Sequence, residues 1–350
     1  MNAKGRRNPR IVLYGVGVYG QEFARLARTK GWPIVAALNR RGDKVGKELG
    51  QLAGIDDENG VVIQDCETAD LSGLDADVGV VFTTDRLIEN WPAYERLLDA
   101  GLNVICHGVQ AYYPWRYDPE TSNRIDALAR QKRVTFTGTG IWDMSRIWAG
   151  IVLAGPSVTI RSLYHESTTQ INHPAPRLIT EYGLNLTPED YVKKFTRSIG
   201  GVRDYGLAGK YQTIPEQVLM ALGFHITHGQ EVHEPIVSDI PVYCKALQGD
   251  IEPGRVVGWR YRSTIETSEG VSAEGRMEMR LLRDDEKEQM VWEIDGLPRN
   301  RLVIERHDSL TASAASVLNR IPDVIDAAPG IQLLSQLGPM YPQFPLGSVK

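Results

Sequence analysis

The sequence predicts a doubly wound parallel α/β domain followed by an α+β domain whose sheet is mainly antiparallel. Three observations carry that prediction. A short apolar strand runs directly into a glycine-rich turn and a helix. Strands and helices then alternate as far as residue 140, and beyond Gly155-Pro156 several strands follow one another without helices between them. With 350 residues the chain holds two domains of ordinary size. We draw them as residues 1–150 and 151–308, with 309–350 as a C-terminal helix and tail that packs back on the first.

Ile11-Val12-Leu13-Tyr14 is an apolar run suited to a strand buried on both faces. Gly15-Val16-Gly17-Val18-Tyr19-Gly20 follows at once, and residues 22–28 place Phe23, Leu26 and Ala27 on one helical stripe. Gly31 and Pro33 end that helix, and Ile34-Val35-Ala36-Ala37-Leu38 is a second strand. Between a strand and a helix, each glycine has a mechanical task. Gly15 makes the tight turn, Gly17 lets a diphosphate approach the backbone, and Gly20 lets helix and strand pack closely. The diphosphate charge would rest on the N–H groups of the helix start, with Val18, Tyr19 and Gly20 as candidates. This is the Rossmann arrangement, and it implies a nicotinamide dinucleotide; a structural glycine turn is the alternative.

The end of the second strand should meet the adenosine ribose, where a carboxylate selects NAD(H). Here it reads Asn39-Arg40-Arg41. Two guanidinium groups suit a 2′-phosphate, so NADP(H) is favoured over NAD(H). A solvated pair of loop arginines is the alternative. The alternation continues with strands at 77–82, 103–106 and 134–137 and helices at 88–100 and 122–132. Asp118-Pro119-Glu120 caps and starts the last of these. Ligands on such sheets sit beyond the carboxyl ends of the strands, here Thr83 and Thr84, His107 and Gly108, and residues 138–142.

In the second half, strands are expected at 158–170, 255–268, 272–283, 288–295 and 301–305. Helices are expected at 187–199, 214–224 and 309–319, with Pro322 and Pro329 limiting the last. This domain is expected to cover the nucleotide. Beyond Leu163 the strand at 158–170 is polar on both faces, carrying His165, Ser167 and Thr169 on one and Tyr164, Glu166, Thr168 and Gln170 on the other. One face then borders a wet cavity, or the strand end is exposed. His225, His228, His233 and Glu234 are read as solvated loop residues rather than metal ligands.

Composition excludes several classes. Apolar residues make up 42% and charged residues 24%, and the net charge is −5, so the chain has no general attraction to nucleic acid. No apolar run reaches the length of a membrane span, and residues 1–10 lack the apolar stretch of a signal peptide. Cys66, Cys106 and Cys244 are too widely spaced for a disulfide framework or a zinc set. The expectation is a cytoplasmic protein without metal or membrane.

Further blocks carry a family resemblance: Lys44-Val45-Gly46-Lys47-Glu48-Leu49-Gly50, Thr83-Thr84-Asp85, Ala111-Tyr112-Tyr113-Pro114-Trp115, Thr311-Ala312-Ser313-Ala314, and Asn319-Arg320-Ile321-Pro322-Asp323-Val324-Ile325 with Ala328-Pro329-Gly330. With the glycine loop they make the chain resemble the NAD(P)-dependent amine dehydrogenases and 2,4-diaminopentanoate dehydrogenases, relatives of dihydrodipicolinate reductase. The resemblance implies a Rossmann domain, a sheet-built substrate domain, a homodimer, and hydride transfer to a C=O or C=N carbon. It also implies adjacent glutamates before Tyr-Pro-Trp, one of which handles the amine proton. The matching positions are Val109 and Gln110. Valine has no proton chemistry and glutamine is no base, so a glutamate is not expected to activate ammonia here. The segment after Gly138-Thr139-Gly140 also departs, reading Ile141-Trp142-Asp143-Met144-Ser145, and the reductase's His-His and Lys pattern is absent.

Hydride transfer needs a positioned acceptor carbon and a proton source near its heteroatom. The catalytic candidates are His107, Gln110, Asp143 and Glu166; His107 could equally hold the cofactor ribose, and Asp143 could cap a helix. The cofactor candidates are Gly15, Gly17, Val18, Tyr19, Gly20, Asn39, Arg40, Arg41, Thr83, Thr84 and His107. The function read from the sequence is an NAD(P)H-dependent oxidoreductase acting on a small carbonyl, imine or amine. The alternative, motivated by positions 109 and 110, is a regulatory protein that binds NADP(H) without turnover.

Overall fold

Apolar runs buried on both faces build the first sheet. Its parallel strands are β1 (Ile11–Tyr14), β2 (Ile34–Asn39), β3 (Ile63–Asp65), β4 (Val78–Val81), β5 (Asn103–Cys106) and β6 (Thr135–Gly138). The computed structural model describes residues 7–55, 60–174, 177–195 and 211–342. The chain divides into two units, Met1–Met144 with Asp308–Lys350, and Ser145–His307.

In the first unit the strand order is Gly330–Ile331, β6, β5, β4, β1, β2, β3, so the winding reverses beside β1. Ile11 and Leu13 pack with Phe23 of helix Val18–Thr29 and with Val317 and Ile321 of helix Ser309–Asp326. Val12 belongs to the opposite core, with Tyr94 and Leu97 of helix Leu87–Asp99 and Ile125 of helix Pro119–Lys132. The Asp118 carboxylate accepts from Thr121 N–H at 3.0 Å, the cap that its sequence signals. This is the doubly wound parallel arrangement read from the sequence.

Two expectations for this unit are corrected. The strands β3 and Gly330–Ile331 were not foreseen, because segments so short carry little periodic signal. The last helix does not stop before Pro322 but runs to Asp326, with Pro322 inside it. The missing N–H of Pro322 is outweighed by burial of Val317, Leu318, Ile321 and Val324 along the same helix.

The second unit is built on β7 (Thr159–Gln170), β8 (Ile226–Val237), β9 (Val242–Cys244), β10 (Gly249–Ile251), β11 (Val256–Thr267), β12 (Ser272–Arg280), β13 (Glu288–Leu297) and β14 (Asn300–Arg306). The six-stranded sheet runs β14-β13-β7-β12-β11-β8, and β9 and β10 form a separate pair. All neighbours in the larger sheet are antiparallel except β12 and β7. The helix expected at 187–199 is described as Pro188–Phe195; residues 196–199 lie outside the described residues.

Strand β8 is a further correction. His228, His233 and Glu234 are not loop residues but lie on a twelve-residue strand paired with β11. His233 is buried, its Nε2 lies 3.0 Å from the Tyr191 hydroxyl, and its ring stacks on Tyr261. Antiparallel pairing with β11, rather than local alternation, marks this segment as a strand. Among the described residues no group of His, Cys, Asp or Glu could hold a metal ion, and no helix is long and apolar enough to cross a membrane.

Candidate cofactor and active site

The glycine loop follows β1 at the point where the strand order reverses. Gly15 has φ +102°, a conformation that side chains disfavour, and a Cβ there would collide with the Phe82 carbonyl oxygen. A Cβ on Gly20 would collide with the Gly15 carbonyl oxygen. Gly17 differs: a Cβ there would meet nothing within 4 Å. It stands at the start of helix Val18–Thr29, which has neither a side-chain cap nor an acidic residue in its first turn. Val18 and Tyr19 beside it are 67% and 39% exposed. Open space over Gly17, a helix start without a side-chain cap and the positive end of the helix dipole together fit a diphosphate.

Asn39 and Lys44 brace this loop. The Asn39 side-chain carbonyl accepts from Val16 N–H at 3.1 Å, and Lys44 Nζ donates to the Val16 carbonyl at 2.7 Å. Arg40 is exposed and its guanidinium has no partner among the described residues. Arg41, by contrast, donates through Nε to Asp65 at 3.0 Å. The sequence places no carboxylate at the strand end itself, positions 39–41, but the structure brings one to it. Asn39 pairs with Asp65 across β2 and β3, so the carboxylate arrives from an unforeseen strand. A hydrogen bond from the Glu67 N–H, and then Arg41, hold the Asp65 carboxyl below its usual range.

His107 lies where β5 ends. Its ring centroid is 4.5 Å from that of Tyr19 and 5.4 Å from that of Phe82, so a row of aromatic groups leads from the glycine-loop helix to the histidine. Nε2 lies 2.7 Å from the Ser313 hydroxyl. Burial pushes its pKa down to about 4, while the charge of Asp85 opposes that shift. Burial thus favours the neutral form of the His107 imidazole. A Cβ on Gly140 would strike both the Tyr112 hydroxyl and the His107 ring, which places those two groups together at the end of β6.

The other predicted residues divide between this edge and elsewhere. The Thr83 and Thr84 hydroxyls both turn to Asn90. Gln110 is buried, and its side-chain carbonyl accepts from Leu87 N–H at 2.9 Å, at the start of helix Leu87–Asp99. The carboxylate that does reach this turn is Asp85, which accepts from Val109 N–H at 3.1 Å. Asp143 is fully buried. Its oxygens accept from Arg320 at 2.6 and 2.8 Å, and the Thr139 hydroxyl donates to it at 2.7 Å. Glu166 belongs to the second unit, where it accepts from the Tyr164 hydroxyl at 2.5 Å and lies 3.9 Å from Arg276. Burial, and then Glu166, raise the Tyr164 pKa.

The opposite face of β7 is not a wet surface. His165 is buried, stacks on Trp292 with centroids 4.6 Å apart, and donates through Nδ1 to the Val291 carbonyl at 3.1 Å. Ser167 accepts from Arg146 at 3.1 Å, and Trp292 donates to the Arg146 carbonyl at 2.8 Å. Burial pushes the His165 pKa down to about 3. The sequence missed Ser313, Asp85 and Asp65 as site residues. The first two lie inside blocks that carried the family resemblance, and Asp65 had no local signal.

A family model described as the 2,4-diaminopentanoate dehydrogenase C-terminal domain matches residues 150–343. A 2,4-diaminopentanoate dehydrogenase of Acetoanaerobium sticklandii is 23% identical over 345 residues, covering 94% of this chain and 93% of the relative. The structure of an amine dehydrogenase from Mycobacterium smegmatis superposes with a TM-score of 0.84 at 27% identity, over 96% of this chain and 98% of that one. A biliverdin reductase from Synechocystis sp. PCC 6803, solved with biliverdin and NADP+, shares the fold alone, with a TM-score of 0.55 at 12% identity over 94% of each chain.

Proposed function

The chain belongs to the 2,4-diaminopentanoate dehydrogenase family, and we propose that it interconverts a small ketone or imine with the corresponding amine, using NADP(H) in preference to NAD(H). It is an NAD(P)-dependent oxidoreductase of the class acting on C=O, C=N or CH–NH2 groups. The observation that carries the proposal is the glycine loop, whose Gly17 is open to an approaching diphosphate at an uncapped helix start, in line with His107.

When bound, the nicotinamide supplies or accepts the hydride. The chain's own residues do the rest. First-turn amides at Val18, Tyr19 and Gly20 hold the diphosphate, and Asn39 and Lys44 keep the loop in shape. Arg40, exposed and with a guanidinium that has no partner among the described residues, supports recognition of a 2′-phosphate, while Arg41 neutralises Asp65 so that this carboxylate does not repel one. His107 stands at the strand ends as a neutral hydrogen-bonding group. We assign Gln110 and Asp143 to positioning, because their acceptor oxygens serve Leu87 and Arg320. The proton traffic of the amine then runs without a glutamate at positions 109 and 110. The free, buried thiols of Cys66, Cys106 and Cys244 support a reducing, cytoplasmic setting, and the family resemblance supports a homodimer.

The test is consumption of NADPH and NADH with a panel of small ketones, with and without ammonia. Ammonia-dependent turnover that favours NADPH is the expected result. Tight NADPH binding without turnover of any carbonyl or imine would instead favour a regulatory protein. Light scattering with size exclusion checks the dimer.

A further inference from the structure

We propose that Ser313 fixes the tautomer of His107, so that the histidine offers Nδ1–H as a neutral hydrogen-bond donor to an acceptor atom of the bound reactants. This rests on reading the strand ends as the nicotinamide site.

Ser313 Oγ accepts from Ile141 N–H at 3.3 Å, and an amide can only donate. The hydroxyl has one proton of its own, and its sole acceptor among the described residues is His107 Nε2 at 2.7 Å. The reverse assignment, with Nε2–H donating to Oγ, would leave the serine proton with no acceptor. Nε2 is therefore the lone-pair nitrogen. A neutral imidazole carries one hydrogen, which then sits on Nδ1. Among the described residues Nδ1 makes no hydrogen bond, and it is not among the buried polar atoms that lack a partner, so it is open to solvent or ligand.

The C-terminal helix is built to deliver that hydroxyl. Arg320 lies seven residues after Ser313, two turns on along one face, and clamps Asp143 through two hydrogen bonds. The segment from Thr139 to Asp143 is thus held at Ile141 by Ser313 and at Asp143 by Arg320. At the helix start the Thr311 hydroxyl donates to Glu22 at 2.8 Å, which ties the same helix to the one that follows the glycine loop. Ser313 touches no reacting atom in this account; it is a positioning residue acting through His107.

A donor on Nδ1 selects an acceptor, either the carboxamide oxygen of the nicotinamide or the heteroatom of the carbonyl or imine. An ammonium ion, which has only donors, is not a partner. The experiment uses full-length protein with 15N-labelled histidine and long-range proton–nitrogen correlation, the His107 signals being assigned by their loss in His107→Gln. Without ligand, wild type and Ser313→Thr should show hydrogen on Nδ1, and Ser313→Ala should shift to Nε2 or to a mixture. Steady-state kinetics of Ser313→Ala should show about a 10-fold loss in kcat/KM, the worth of one hydrogen bond. If that loss appears at saturating cofactor, the acceptor is the substrate heteroatom; if NADPH binding weakens instead, it is the carboxamide. Hydrogen on Nε2 in wild type, or an unchanged tautomer in Ser313→Ala, overturns the proposal. A tautomer shift in a protein without turnover would overturn the oxidoreductase reading and leave the role of Ser313 standing.

Discussion

Arg320→Ala should unfold the first unit far more readily than its distance from the glycine loop suggests. Arg320 and Asp143 are both fully buried. Nη2 and Nε of Arg320 meet the two Asp143 oxygens at 2.6 and 2.8 Å, while Nη1 donates at 2.9 Å to Asp323 and to the Gly338 carbonyl. Removing the guanidinium leaves a fully buried carboxylate with the Thr139 hydroxyl as its one remaining side-chain donor among the described residues. Breaking one side of a buried pair costs about 3–5 kcal/mol. The assay is urea unfolding without cofactor, comparing midpoints at constant slope. Asp143→Leu combined with Arg320→Met should recover much of that loss, since two apolar groups need no partner. A loss below about 1 kcal/mol in Arg320→Ala would refute the reasoning. So would an Asp143→Asn variant of unchanged stability whose turnover is abolished, which would return Asp143 to the chemistry.

Other outcomes follow from the same geometry. Gly17→Val should keep its fold, with Tm within about 2 °C, because a Cβ there meets nothing within 4 Å, yet lose cofactor binding in calorimetry. Gly20→Ala should destabilise by about 1–3 kcal/mol through its clash with the Gly15 carbonyl, and equal effects of the two changes would contradict the separate glycine roles. Arg40→Ala should weaken NADPH about 10-fold more than NADH, read by titration; equal losses would remove the 2′-phosphate assignment. Stability should fall with acid in a specific window. Burial holds His107 and His233 down to about 4 and His165 down to about 3, against an ordinary 6.5. The unfolded chain therefore binds more protons below about pH 6.5, and stability present above that pH is lost progressively towards pH 4. His165→Gln should flatten that slope, as measured by unfolding at each pH.

Much of the first unit was legible because its signals are local. The apolar runs at residues 11–14 and 34–38, the three glycines between them, and the Asp118-Pro119 helix start each act within a few residues of themselves. In the second unit the strands at 159–170 and 272–280 were also visible, but β8 was not, since its alternation is blurred by Gly229, Pro235 and three buried or half-buried polar positions.

The chain alone thus determined the glycine loop and helix start at which we propose a dinucleotide, because turn sterics and helix ends depend on neighbouring residues. Only the tertiary structure decided what surrounds it. Asp65 reaches Arg41 across two strands, Arg320 closes on Asp143 from 177 positions away, and Ser313 meets His107 across 206. No periodicity encodes such meetings. They arise when a parallel sheet gathers the ends of distant strands at one edge and a returning helix packs against them, and hydrogen bonds then form between whatever groups that packing brings within 3 Å.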